Sequence, residues 1–323
     1  MKGIILKRIG WLGFLDGREV MWRLIPYGFL LSLFVFSIIV APMHFFVSRN
    51  LINILQQSCV LMIGALGVTF VIIMGSIDIS LGSVLALSGL IGASIVVRYG
   101  MLPGILAAML TGMLCGSING FVFSMLKVPS LITTLGMMMI ARGLAVLYCR
   151  GNPIVFSIYS PILMIGCFPG IVYITLSVLA VCYFFYKYSI FGREIRAIGG
   201  DERVAGLTGV PLKKVKFMVF FLCGTIIGVA GIVLAARCGA ATATSGFGFE
   251  FSSITAVVLG GTPLTGSIGS VQGAVVGGLI MTILGNILTI LGVSPNVQTV
   301  IMGIVFIIAV SVSLERKKIG TIK

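Results

Sequence analysis

Side chains able to make or break covalent bonds are few in this chain, and their spacing suits no hydrolytic or metal centre. The one histidine, His44, stands near the end of the first apolar run, and neither a G-x-x-x-x-G-K-[ST] phosphate loop nor an H-E-x-x-H pair occurs. The seven cysteines, Cys59, Cys115, Cys149, Cys167, Cys182, Cys223 and Cys238, show no C-x-x-C spacing and mostly fall inside apolar runs. That pattern reads as small packing residues with no metal site. No constellation supports an intramembrane enzyme.

What remains is polar chemistry set in apolar surroundings, the chemistry of passage and of docking. Asp78 and Ser80 lie in GSIDISLGS (75–83), a Gly-rich interruption between two apolar runs. Either residue could cap the helix that follows, or the break could lie on a translocation path. GGTPLTGSIGS (260–270) is a second such interruption, and both lead into a G-S-V helix start. Paired interruptions of this kind point to internal repeats around a central path. Asn119, Arg142, Gln272, Asn286 and the pair Thr133 and Thr134 are further polar residues within apolar runs, and Glu250 precedes a short one. Arg142 is costly at a helix centre, by about 2.5–3.5 kcal/mol. It reads as a packing lock onto carbonyls or a carboxylate, or as a solute contact. Asn119 and Asn286 read as bonds between neighbouring helices, Met137, Met138 and Met139 as flexible core, and Glu250 as a solute or docking contact or a solvated acid.

A docking surface is suggested by one charged stretch. Residues 187–216 carry ten of the chain's 30 charged residues. Within it, Asp201 is placed to N-cap a short helix over about 201–208, with acidic residues at the positive end of its dipole and Gly209 and Pro211 as stops. Its small residues Ala205, Gly206 and Gly209 are expected to be exposed, where a groove on another protein could approach. An amphipathic helix lying on lipid headgroups is the alternative.

The elements that must position these residues are membrane helices. The chain is 59% hydrophobic and 9% charged, with a mean hydropathy of +1.20, far from the globular range. The fold expected is all-α and polytopic, one transmembrane domain over 1–323. Apolar runs fall at about 24–47, 51–74, 80–97, 102–124, 131–149, 168–186, 215–236, 251–261, 270–292 and 297–314. The eighth is too short to cross and is expected to be broken or re-entrant. The first is too long for a signal-peptide core and reads as a retained helix. With both termini cytoplasmic, 17 Lys and Arg fall inside, in the arm 1–23, at Lys127, in 187–216 and in the tail 315–323, against four outside at Arg49, Arg98, Arg150 and Arg237. This split makes the net charge of +14 a topology signal in place of a nucleic-acid footprint. The outside segments 150–167 and 237–250 read as compact loops or short helices.

Four segments together carry a family resemblance: GSIDISLGSVLALSG (75–89), GSINGFVFSMLKVPSLITTLGMMMIARGLA (116–145), FGREIRAIGGDERVAGLTGVPLKKVK (191–216) and TSGFGFEFSSITAVVLGGTPLTGSIGSVQGAVVGGLI (244–280). From about residue 50 to 312 the chain resembles the permease subunits of bacterial ABC importers of the ribose and simple-sugar type, in the group that also holds branched-chain amino acid permeases. It departs from that pattern at Ser130, Ser252 and Ser267. The resemblance implies a transporter subunit of the bacterial inner membrane that is not itself an enzyme. ATP and Mg would be bound by partner ATPase subunits on the cytoplasmic face, and solute would arrive from an extracytoplasmic binding protein. A second permease, identical or a sister chain, would complete a dimer. By that likeness Gly200, Asp201, Glu202, Arg203, Val204, Ala205, Gly206, Leu207, Thr208 and Gly209 form the coupling helix held by the ATPase. A monosaccharide is the expected solute, with branched-chain amino acids, nucleosides or a furanose signalling molecule as alternatives. A stand-alone channel or secondary transporter, with Asp78 or Arg142 coupling ions, is the reading outside this class.

Overall fold

A computed structural model describes residues 17–40 and 42–318. The expected basic arm therefore lies mostly, and the end of the tail wholly, outside the described residues. Among those described, seven helices are long and apolar enough to cross a membrane. They are α3 (Ser48–Ile73), α4 (Leu81–Tyr99), α5 (Met101–Ser124), α6 (Ser130–Cys149), α8 (Gly170–Lys187), α11 (Leu212–Cys238) and α13 (Val271–Ile290). Shorter apolar stretches occupy the other three expected positions, in α1 (Gly17–Val40), α12 (Phe249–Leu259) and α14 (Pro295–Lys318). Helices satisfy their own peptide groups, which is the condition for crossing a lipid core.

The first apolar run is helical over α1 and over α2 (Pro42–Phe45). The segments expected as compact loops or short helices contain a short helix, α7 (Leu163–Gly166), and also two short strands, β1 (Ile154–Val155) and β2 (Ala240–Ala241), paired antiparallel. The charged stretch is more helical than its N-cap signal alone indicates. Ahead of the short helix α10 (Glu202–Leu207) stands α9 (Ile190–Gly200), which buries Gly192, Ile195 and Ile198 at a helical spacing.

The core is built by α3, α4, α5, α11, α12 and α13, and it is held close by small residues. α5 and α11 run antiparallel with Gly112 and Gly116 against Gly224 and Gly228, and a Cβ added at Gly112 would collide with the Gly224 carbonyl. Lipid gives little hydrophobic drive for helix association, so backbone contact of this kind supplies dispersion in its place. Gly112→Leu is therefore expected to lower stability by about 1–3 kcal/mol. Gly136→Leu, where a Cβ meets nothing within 4 Å, is expected to stay within about 0.5 kcal/mol. Thermal unfolding in detergent checks both.

Candidate functional site

α10 forms as its sequence signals require. The Asp201 carboxylate accepts from Val204 N at 3.0 Å, and Gly209 follows the helix at φ 87°. Glu202 is tied back to α11 by Lys216 Nζ at 2.6 Å. The exposed face differs from expectation. Ala205 is buried, 3% exposed, while Val204 and Leu207 are 54% and 82% exposed. In so short a helix one residue must face the support, and Ala205 is small enough to sit against α9 and the start of α11. Arg203, Gly206, Thr208 and Gly209 are exposed.

At the root of α10 the two glycine-rich interruptions meet. Ser267 N, in the second, donates to Ile73 O, at the start of the first, at 2.8 Å. Gly199, at the end of α9, lies against both, since a Cβ there would collide with Ile73 O and Ser267 N. Tyr186 at the end of α8 donates to Gly269 O. Ser267 has φ 70°, a left-handed conformation that disfavours any residue but glycine. None of Ile73, Gly199 or Ser267 carries a chemical signal in sequence; the glycines of both breaks were the only pointer.

Above this junction Asp78, Ser80, Asn119 and Thr134 come together. Asp78 Oδ1 accepts from Ser80 N at 2.8 Å and from Ser80 Oγ at 2.6 Å, and Asn119 Nδ2 donates to Ser80 Oγ at 3.1 Å. Ser80 occupies the N-cap position of α4 but makes no side-chain cap bond, because its hydroxyl is committed to Asp78. Thr134 Oγ1 and Ser130 Oγ accept from Ile79 N and Ile77 N at 3.3 and 3.5 Å, which satisfies extended backbone that has no helix of its own. A cavity of about 10 Å³ beside Asp78, Ser80 and Asn119 has room for one water and none for a monosaccharide.

Arg142 and Glu250 flank a different element. From β2 the chain turns back into the bundle, and the Arg142 guanidinium donates to Ala243 O and, at 3.1 Å, to Ser245 O. This is the carbonyl lock, formed across a turn that no local sequence signal places there. Glu250, 8% exposed, is in the first turn of α12, where a carboxylate suits the helix dipole, and it packs on Gly82. Asn286 is not part of either group. It exchanges hydrogen bonds of 3.1 and 2.8 Å with Asn50 at the start of α3, joining neighbouring helices as expected. Among the described residues no cluster of metal-ligating side chains occurs.

Apolar crossing helices, two interruptions held against each other and a charged helix mounted on their junction define a multi-pass membrane permease. The chain belongs to the branched-chain amino acid transport system / permease component family, whose model matches residues 50–310. It is 36% identical to the ribose import permease protein of Escherichia coli K12 over 89% of this chain and 93% of that one. The ribose import permease protein of Bacillus subtilis 168 is 37% identical over 93% and 94% of the two chains. An L-arabinose ABC transporter permease protein of Azospirillum brasilense is 32% identical over 91% and 89%. No solved structure matches the chain.

Two outcomes test this geometry in thermal unfolding. Arg142→Met leaves two carbonyls without their charged donor and is expected to cost about 1.5–3 kcal/mol, part of it restored in Arg142→Lys. Ser267→Gly relieves the left-handed conformation and is expected to gain about 1 kcal/mol.

Proposed function

We propose that this chain is the permease subunit of an ATP-driven importer that carries a monosaccharide, ribose first among candidates, inward across the bacterial cytoplasmic membrane. The relatives named for ribose and L-arabinose, matched over about nine-tenths of their length, favour a sugar over an amino acid or nucleoside. The ten apolar segments and the 17 to 4 split of basic residues support a topology with both termini, α9 and α10 on the cytoplasmic side.

The observation that carries the mechanism is the mounting of α10. Asp201 starts it, Ala205 anchors it, and Val204 and Leu207 project from it as apolar contacts for an ATPase cleft. Residues 200–209 are then the coupling element, with ATP and Mg held by the partner. Closure of paired ATPases would push α10, and Gly199 would pass that displacement to Ile73 and Ser267, so both interruptions move together. Pivoting of α3, α4, α12 and α13 about the junction then alternates access to a path between two permease copies, or between this chain and a sister permease. Solute affinity resides chiefly in a separate extracytoplasmic binding protein. Asp78, Ser80, Asn119 and Thr134 hold the first interruption in shape, Arg142 and Glu250 hold the turn opposite, and Asn286 fixes α13 to α3.

Proteoliposomes carrying the reassembled transporter provide the test. Leu207→Asp places a charge on the docking face without touching the core, and it is expected to abolish ATP-dependent D-ribose uptake and co-purification of the ATPase while the chain stays in the membrane. Wild-type uptake by that variant, or uptake by the chain with no ATPase present, would reject the proposal in favour of a stand-alone transporter or channel.

A further inference from the structure

The turn at 242–248 is in the wrong place for a surface loop. It leaves β2 at one end of the bundle and stops where the ring of Phe249 packs on Gly64. Gly64 lies about 24 Å from the first residue of α3 and about 14 Å from the last, at 1.5 Å per residue. Arg142, which holds the turn, is likewise well inside α6. Non-helical backbone at such depth is tolerated only where protein buries it or where it borders a water-filled cavity, because lipid offers its peptide groups no partner.

The turn is not buried. Phe247 is 90% exposed at its apex, and Thr244 beside it is also exposed. Gly246 and Gly248, at φ 70° and 74°, flank the ring, and Gly246 packs directly on Gly82, so the turn is braced against α4. Thr242 Oγ1 bonds Ser245 Oγ at 2.9 Å and Thr244 Oγ1 at 3.2 Å. The exposed side thus presents one aromatic face beside a row of linked hydroxyls. The two ionisable groups next to it are engaged elsewhere, Arg142 by carbonyls of the turn and Glu250 buried against Gly82.

We infer that the 242–248 turn borders the solute path and that Phe247 is a stacking surface for the C–H face of a sugar ring, with the Thr244 hydroxyl positioned for the sugar's own hydroxyls. This rests on the proposed importer reading and extends it to a solute contact. An aromatic face carries negative charge density that attracts polarised C–H groups, and a few hydroxyls beside an apolar wall fix orientation. With Arg142 drawn onto the carbonyls of the turn and Glu250 buried, the surface offers chiefly an aromatic face and hydroxyls, which suits a neutral polyol.

The test uses the full transporter in proteoliposomes, with Cys149, Cys167 and Cys238, the free cysteines not fully buried, replaced by Ser. Phe247→Cys is expected to react with a membrane-impermeant maleimide, and D-ribose delivered by its binding protein is expected to slow the reaction. Leu176→Cys, on an exposed apolar stretch of α8, is expected to stay unlabelled. With all native cysteines present, Phe247→Leu is expected to reduce D-ribose uptake about tenfold, and Phe247→Trp to retain it. An unlabelled Phe247→Cys overturns the path assignment. Labelling without protection, together with uptake equal in the Leu and Trp variants, overturns stacking and leaves the importer intact. Failure of the wild type to take up D-ribose rejects ribose as the solute, and the labelling result then decides the turn's place by itself.

Discussion

Peptide groups that leave a helix inside a membrane bundle must find partners within the protein, and the arrangement of this chain follows from how that requirement is met. The interruption at 74–80 returns its first amides to α3 and its last, Ser80 N, to Asp78. The Ile77 and Ile79 amides between them go to Ser130 and Thr134 of α6, and the Ile73 carbonyl accepts from Ser267 of the other interruption. Each break is therefore the other's partner. A displacement of one removes bonds from the other unless both move, and this mutual dependence makes the junction a place where a push can be shared between four helices.

The same requirement explains the polar residues in the apolar bundle. Asp78 is held by Ser80, and Ser80 by Asn119, so a short chain of bonds ties the break to α5. Arg142 satisfies carbonyls of a turn that has entered from the opposite end. Unpaired, each of these groups would carry a desolvation cost of several kcal/mol. Paired, they fix irregular backbone at two depths, one beside α10 and one near the middle of α3. The contrast with the α5–α11 seam is instructive: there glycines bring two regular helices into backbone contact with no polar bond between side chains, and that part of the bundle is suited to moving as a unit.

Much of the site was legible residue by residue but not as an assembly. The Asp201 cap and the Gly209 stop were readable because both act within one turn. α9 was also readable in principle, from the spacing of Gly192, Ile195 and Ile198 and from the Ser189 cap onto Gly192 N, but the charges on its other face drew attention to α10 alone. Ala205 was misplaced because a six-residue helix shows no period long enough to say which side faces its support.

The sequence by itself determined the class of fold, the number and rough position of the apolar segments and the cap of α10. Helical hydrogen bonds and caps join residues three or four apart, and hydropathy is a local sum. Only the tertiary structure decided that the two glycine-rich breaks meet, that Gly199 lies against both, and that Arg142 reaches carbonyls 101 and 103 positions away. It also decided that Phe247 stands exposed at the level of the middle of α3. Those contacts depend on which helix faces pack together, and glycine-lined faces that are apolar on every side leave that choice to packing geometry.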